Sequence, residues 1–296
     1  VCLTHPHADH GADLVPVLES YHQPVDFWHS IPESLRFFYG LSETPMFPSP
    51  VNDFVNQIRV GWANIFLDLF ELTFVKPNVA TEQISETTAT KHIDGVEICF
   101  FSPDLHTLRR FGNVLLDRAH SIGTELPSQN LLSVIMLLKY DNSIVLLGAD
   151  ALKSTWKQVR DRCHGKKIPK AMLFKVPHHG AENAFTGIRG YLDLCSTDPK
   201  CFAVLFAGDV SHPNPSVFEA LRTRTRLGCL ANGLSSVAEN PLAIPIPGAR
   251  AVRSSVQICN PVLKFVLETS GSVTCSCGTL CDRCVVFGGK SMQPAS

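Results

Sequence analysis

The chain opens on Val1-Cys2-Leu3-Thr4, and His5-Pro6-His7-Ala8-Asp9-His10 follows at once. Three imidazoles and a carboxylate in so short a run can converge from a single turn, and these are the donor types that hold zinc and similar divalent ions. Residues 11–21 carry Leu14, Val15 and Leu18 at helical spacing. Apolar strand, histidine loop and helix therefore succeed one another without a spacer, which commits the chain to an α/β layout with polar chemistry at a strand end. A polar loop with incidental histidines is the alternative, and a second carboxylate with further histidines downstream weighs against it.

The pattern repeats along the chain. Residues 25–28 read as a strand, and residues 51–70 place Val51, Phe54, Val55, Ile58, Ile65, Phe66, Leu69 and Phe70 on one helical stripe, which reads as packing surface. Residues 81–90 are rich in Thr, Ser and Glu and are expected to form an exposed loop before a strand at 95–102, with an insertion over about 32–94. A helix is expected at 105–119, then a hairpin of strands 132–140 and 143–147 joined at Asp141-Asn142. The hairpin runs into Gly148-Ala149-Asp150, a helix follows at 152–163, and a strand at 170–176 runs into Pro177-His178-His179-Gly180. Residues 184–194 read as helical, 201–207 as a buried strand, and Asn214-Pro215 as the cap and first position of a helix at 216–224.

Asp150 has two readings. It is either a metal ligand or a helix cap before Leu152, and the second is weakened because position 153 is Lys, where a capping box has Glu or Gln. His178, His179 and His212 also stay open. One is expected to bind metal, another to protonate a leaving group or hold substrate, and His212 is otherwise an ordinary loop histidine. His22, His29, His92, His106, His120 and His164 have no partner pattern and read as structural or surface residues.

The runs HPHADH, QNLLS before an apolar strand, LLGAD, LFKVPHHG and AVLFAGDVSHPNP, in this order and spacing, resemble the hydrolase domain of ComEC-type competence proteins and their free-standing relatives in the metallo-β-lactamase superfamily. The resemblance covers residues 1–224, with little to carry it between 32 and 90. It implies an αβ/βα sandwich of two mixed sheets with outer helices, over a hydrolase domain at 1–270. It also implies two divalent ions, zinc or manganese. His5 and His7 would bind the first ion, Asp9 and His10 the second, and Asp150 would bridge them. Two cations sharing a water bring its pKa near neutrality and make hydroxide available as nucleophile, which Asp9 could orient. His179 and His212 are further ligand candidates, His178 and His179 catalytic candidates beside Asp9, and Asn130, Ser133 and Lys153 candidate substrate contacts.

Four departures qualify the resemblance. The Asn130 to Ser133 motif stands where many superfamily members have a histidine, which leaves the first ion short of a nitrogen ligand. Gly148-Ala149-Asp150 replaces Gly-Asp, and Asp209-Val210-Ser211 replaces the more common Asn and Gly before His212-Pro213. The family begins with two or more strands ahead of the histidine loop, so the chain is expected to lack its N-terminal strands, since a four-residue strand cannot stand alone.

The superfamily hosts several substrates, so the fold does not choose one. The favoured expectation is hydrolysis of DNA or nucleotide phosphodiesters. Lys153, Lys157, Arg160, Arg162, Lys166, Lys167, Lys170 and Lys175 face a single acid, Asp161, over 153–175, where a phosphate backbone could pass. A solvated helix face explains the same charges, and the net charge of −1 argues against a strong nucleic-acid binder. Hydrolysis of a lactone, thioester or β-lactam, and a non-catalytic binding module, are the other expectations. The charge is uneven: residues 1–100 hold 4 Lys and Arg against 13 Asp and Glu, and residues 101–296 hold 22 against 14.

Cys275, Cys277, Cys281 and Cys284 place four thiols in a tail over 271–296, as a structural zinc knuckle or as disulfides or free thiols. Cys2 reads as packing. Eleven scattered cysteines are an odd count and point to reduced thiols and a cytoplasmic setting. No run reaches the ~18 apolar residues of a membrane span.

Overall fold

The computed structural model describes residues 1–7, 14–32, 79–120, 127–163, 168–187, 190–197, 201–206, 213–231, 263–267 and 273–277. The chain is mixed α/β and divides into two compact units, Val1–Ala89 with Phe100–Ile135, and Thr90–Cys99 with Met136–Ser296.

In the first unit the expected opening strand is β1 (Cys2–Leu3) and the next is β2 (Val25–His29), with helix α1 (Leu14–Ser20) between them. A third strand, β3 (Val79–Gln83), completes a parallel sheet in the order β1-β2-β3. Leu3 pairs with His29 and His29 with Gln83, so the carboxyl ends of all three strands lie at one edge. Leu3, Leu18, Phe27, Ile31 and Ile84 are buried, and the Trp28 ring meets Phe100 edge-on at 5.7 Å.

Strand β3 takes residues 81–83 of the loop expected over 81–90, and the rest of that segment, 84–90, is loop as expected. Thr81, Glu82 and Gln83 are polar, but pairing with Phe27, Trp28 and His29 gives their backbone groups a ladder, a non-local effect that composition does not report. After β3 the chain turns at 86–87, where the Ser85 N–H donates to Thr88 Oγ1 at 2.9 Å. Helix α2 (Leu105–His120) follows as expected and buries Leu108 and Phe111.

The expected strand over 132–140 begins only at Met136. Residues Gln129–Leu132 form a 3-10 turn, and Ser102 Oγ donates to Ser133 O at 2.6 Å and accepts from Ile135 N at 2.9 Å. A side chain thus satisfies buried backbone groups that a ladder would otherwise take. The Val134 N–H donates to Thr4 O at 2.7 Å, tying this segment to the end of β1.

The second unit is built on a seven-stranded sheet. In chain order its strands are β4 (Lys91–Ile93), β5 (Val96–Phe100), β6 (Met136–Tyr140), β7 (Ser143–Leu147), β8 (Leu173–Lys175), β9 (Phe202–Phe206) and β10 (Arg226–Ala231), arranged β10-β9-β8-β7-β6-β5-β4. The hairpin β6-β7 forms at Asp141-Asn142, where Asp141 takes φ 48°. Strands β7 to β10 are parallel, joined by helix α3 (Lys153–Cys163) between β7 and β8 and helix α4 (Pro215–Arg224) between β9 and β10. Asn214 caps α4 as expected, its Oδ1 accepting from Ser216 N at 2.9 Å.

The helix expected over 184–194 is replaced by two single 3-10 turns, Glu182–Ala184 and Tyr191–Leu194. Tyr191 is buried against Trp156 at 5.4 Å and Phe174 at 5.1 Å, so aromatic packing anchors the chain where helix periodicity would have left it half exposed. A separate antiparallel pair, β11 (Leu263–Leu267) with β12 (Val273–Cys277), lies further on. No helix among the described residues is long and apolar enough to cross a membrane. The helical stripe at 51–70 lies outside the described residues.

Candidate functional site

In the first unit the parallel sheet delivers His5 just past β1. The ring is fully buried, its Nδ1 lies 3.4 Å from Thr4 Oγ1, and it stacks on exposed His7 at 5.9 Å between centroids with 18° between planes. Asn130 and Ser133 sit in the segment that Val134 ties to Thr4. Ser133 is fully buried, and its Oγ has no hydrogen-bond partner among the described residues. The fold therefore brings His5, His7 and Ser133 to the end of β1, with Asn130 one 3-10 turn earlier, its carbonyl accepting from Ser133 N–H at 3.2 Å.

His29 ends β2 and is 3% exposed, and its Nδ1 accepts from the Ile31 N–H at 3.2 Å. Cys2, in β1 three residues before His5, is a free thiol of intermediate exposure, and burial pushes it up to about 12.

In the second unit, β7 and β8 end side by side, Leu147 paired with Lys175. The chain beyond β7 is Gly148-Ala149-Asp150 and the chain beyond β8 leads to Pro177-His178-His179-Gly180. Gly148 is required by close approach: a Cβ there would stand 2.9 Å from Trp156 Cζ2 and 3.3 Å from Lys175 O. Asp150 is 3% exposed, and Lys175 Nζ lies 3.7 Å from its Oδ1 while donating to Ala149 O at 3.3 Å. Helix α3 starts at Lys153, so Asp150 lies outside the N-cap position, and the cap reading of this residue falls away.

The backbone here is unusual. Ala149 has φ 44°, His178 φ 46°, His179 φ 52° and Gly180 φ 75°. Left-handed backbone costs a residue with a Cβ about 1 kcal/mol or more, and such positions persist where the surroundings over-determine them. They do so here. The His178 N–H donates to Ala149 O at 3.1 Å, Ala181 N–H to His178 O at 2.7 Å, and Asn214 N–H to Gly180 O at 3.0 Å. His178 Nδ1 and Asn183 Oδ1 are 2.8 Å apart. Asn183 carries no motif signal of its own, and Lys175, read in the sequence only as part of a motif run and a basic segment, is placed beside Asp150 by this packing.

Of the remaining candidates, Lys153 is exposed at the start of α3. Asp9, His10, His212, Cys281 and Cys284 lie outside the described residues, while Cys275 and Cys277 pair with Phe265 and Leu263 in the β11-β12 ladder. Among the described residues no group of three or more His, Cys, Asp or Glu is placed to hold an ion. The donor types, imidazole and carboxylate, are ones that suit a divalent metal, and in this structure the cation beside buried Asp150 is the Lys175 ammonium.

No protein-family model and no curated protein matches the chain. Among solved structures it is similar to Zn2+-bound PqqB from Methylobacterium extorquens at 14% sequence identity and a TM-score of 0.32, over 60% of this chain and 44% of that one. The chain thus spans less than half the length of that protein.

Proposed function

We propose that the chain is a metal-dependent hydrolase of the metallo-β-lactamase type, acting on the phosphodiesters of DNA or nucleotides. The observation that carries this reading is the turn 177–180, where two consecutive histidines hold left-handed backbone beside buried Asp150. Strain on that scale is seldom retained for packing alone. In this reading His5, His7, Asp9, His10, Asp150, His179 and His212 hold two divalent ions, zinc or manganese, in an αβ/βα sandwich. The ions would supply Lewis acidity and a water of lowered pKa. Asp9 would orient that water, His178 would serve the leaving group or the substrate, and Asn130, Ser133 and Lys153 would contact substrate.

Exposed Lys153 and Lys157 on α3 support an anionic substrate. Other members of the basic run are engaged elsewhere. Arg160 pairs with Asp161 at 2.9 Å, Lys170 donates to Asp193 O, and Lys175 turns toward Asp150. That reduced track favours carbonyl-ester hydrolysis as the second reading. The test is hydrolysis of single- and double-stranded DNA by the full chain with added zinc or manganese, beside Asp150→Ala. Activity lost in the variant supports the assignment, and cleavage that survives overturns it.

A further inference from the structure

We infer that Asn183 is a positioning residue that fixes the tautomer and the orientation of His178. The inference deepens the hydrolase reading and rests on His178 serving that site.

The ring of His178 begins from a rigid base. Its backbone is held on both sides, by its N–H to Ala149 O and by its carbonyl accepting from Ala181 N–H, with φ at 46°. The side chain then meets Asn183 Oδ1 at 2.8 Å through Nδ1. An amide oxygen only accepts, so Nδ1 carries the proton and the ring lone pair sits on Nε2. An imidazole whose Nε2 is to take a proton or bind an ion needs this tautomer, and a hydrogen bond at the opposite nitrogen is the usual means of selecting it.

Asn183 is well placed to act only through its side chain. It lies in the turn Glu182–Ala184, whose backbone bonds, Ala184 N to Ala181 O at 3.2 Å and Phe185 N to Glu182 O at 3.0 Å, do not involve it. Asn183 is exposed, so truncation opens no cavity. Its neighbour Glu182 contacts Asn214 Nδ2 at 3.3 Å, which links the same turn to the cap of α4.

The experiment uses the full chain with 15N-labelled histidine, at a pH where imidazoles are neutral, and identifies His178 by the signals lost in His178→Gln. The expected ring spectrum has the proton on Nδ1 in the wild type, a shift toward the Nε2-protonated form in Asn183→Ala, and the original pattern in Asn183→Asp, which keeps the acceptor. In parallel, kcat for bis(p-nitrophenyl) phosphate with added zinc falls about tenfold in Asn183→Ala and returns in Asn183→Asp. An Nε2-protonated ring in the wild type, a spectrum indifferent to Asn183→Ala, or a changed spectrum with unchanged kcat overturns the inference. A wild type that hydrolyses nothing with zinc or manganese defeats the hydrolase reading, while the spectra still decide whether Asn183 sets the tautomer.

Discussion

Replacing Gly180 with alanine separates two costs that the turn 177–180 combines. Gly180 has φ +75°, where an alanine pays about 1 kcal/mol for left-handed backbone. The new Cβ would also stand 2.9 Å from Pro213 Cβ and 3.1 Å from Leu205 Cδ1. Neither can yield easily. Pro213 is a ring whose next residue donates to Gly180 O, and Leu205 is fully buried in β9. Overpacking of this kind costs about 1–3 kcal/mol, so Gly180→Ala is expected to lose about 2–4 kcal/mol in all. Gly187 supplies the control, because it has φ +71° with nothing among the described residues within 4 Å of a built Cβ. Gly187→Ala should lose only the backbone share, about 1 kcal/mol. With a urea slope of about 3 kcal/mol per M, the unfolding midpoint by circular dichroism falls by about 1 M in the first variant and about 0.3 M in the second. Equal shifts in the two variants would show that the packing of Gly180 against Pro213 and Leu205 is not as described.

Trp156 is buried against Phe174 and Tyr191, and its Nε1 has no hydrogen-bond partner among the described residues. Trp156→Ala should cost about 3–5 kcal/mol, while Trp156→Phe, which removes the unsatisfied N–H, should cost less than half of that in the same urea assay. Burial pushes Cys2 up to about 12, so folding favours its protonated thiol between the ordinary value and that pH. Cys201 is pushed up as well, chiefly by its hydrogen bond with Cys195 and then by burial. Mass-spectrometric mapping should find both thiols unalkylated by iodoacetamide at mildly alkaline pH until the chain unfolds. If the substrate is a nucleic acid, cleavage should weaken steeply with added salt, and Lys153→Ala with Lys157→Ala should flatten that slope; a salt-independent rate points to the carbonyl-ester reading.

What could be read from the sequence follows the range of the forces involved. Asn214-Pro215 and the Asp141-Asn142 turn are local devices, and both appear where the residues put them. A similar signal, Asp94-Gly95, joins β4 to β5 with φ 49° and 82° and was there to be read. Strand β3 was hidden because Thr81, Glu82 and Gln83 owe their conformation to β2, far away in sequence. Leu132, Val134 and Ile135 misled in the other direction: they are buried, yet Ser102 bonds Ser133 O and Ile135 N, Val134 N bonds Thr4 O, and no strand forms before Met136. In each unit the candidate residue types, those after β1 in the first and those after β7 and β8 in the second, were legible as motifs. The left-handed backbone of Ala149, His178 and His179 and the turn of Lys175 toward Asp150 were not, since they arise where neighbouring strands end together, and the contact of His178 with Asn183 depends on the local turn geometry that follows.

Metal content of the full chain, purified without chelator and equilibrated with zinc, tests most directly whether the histidine and aspartate motifs form one centre. On the proposed reading about two ions per chain are expected, falling in Asp150→Asn together with hydrolysis, because a carboxylate that both cations shared would support both. A wild type that binds no zinc, or an Asp150→Asn variant that keeps its full complement and its activity, would contradict a bridging role for Asp150.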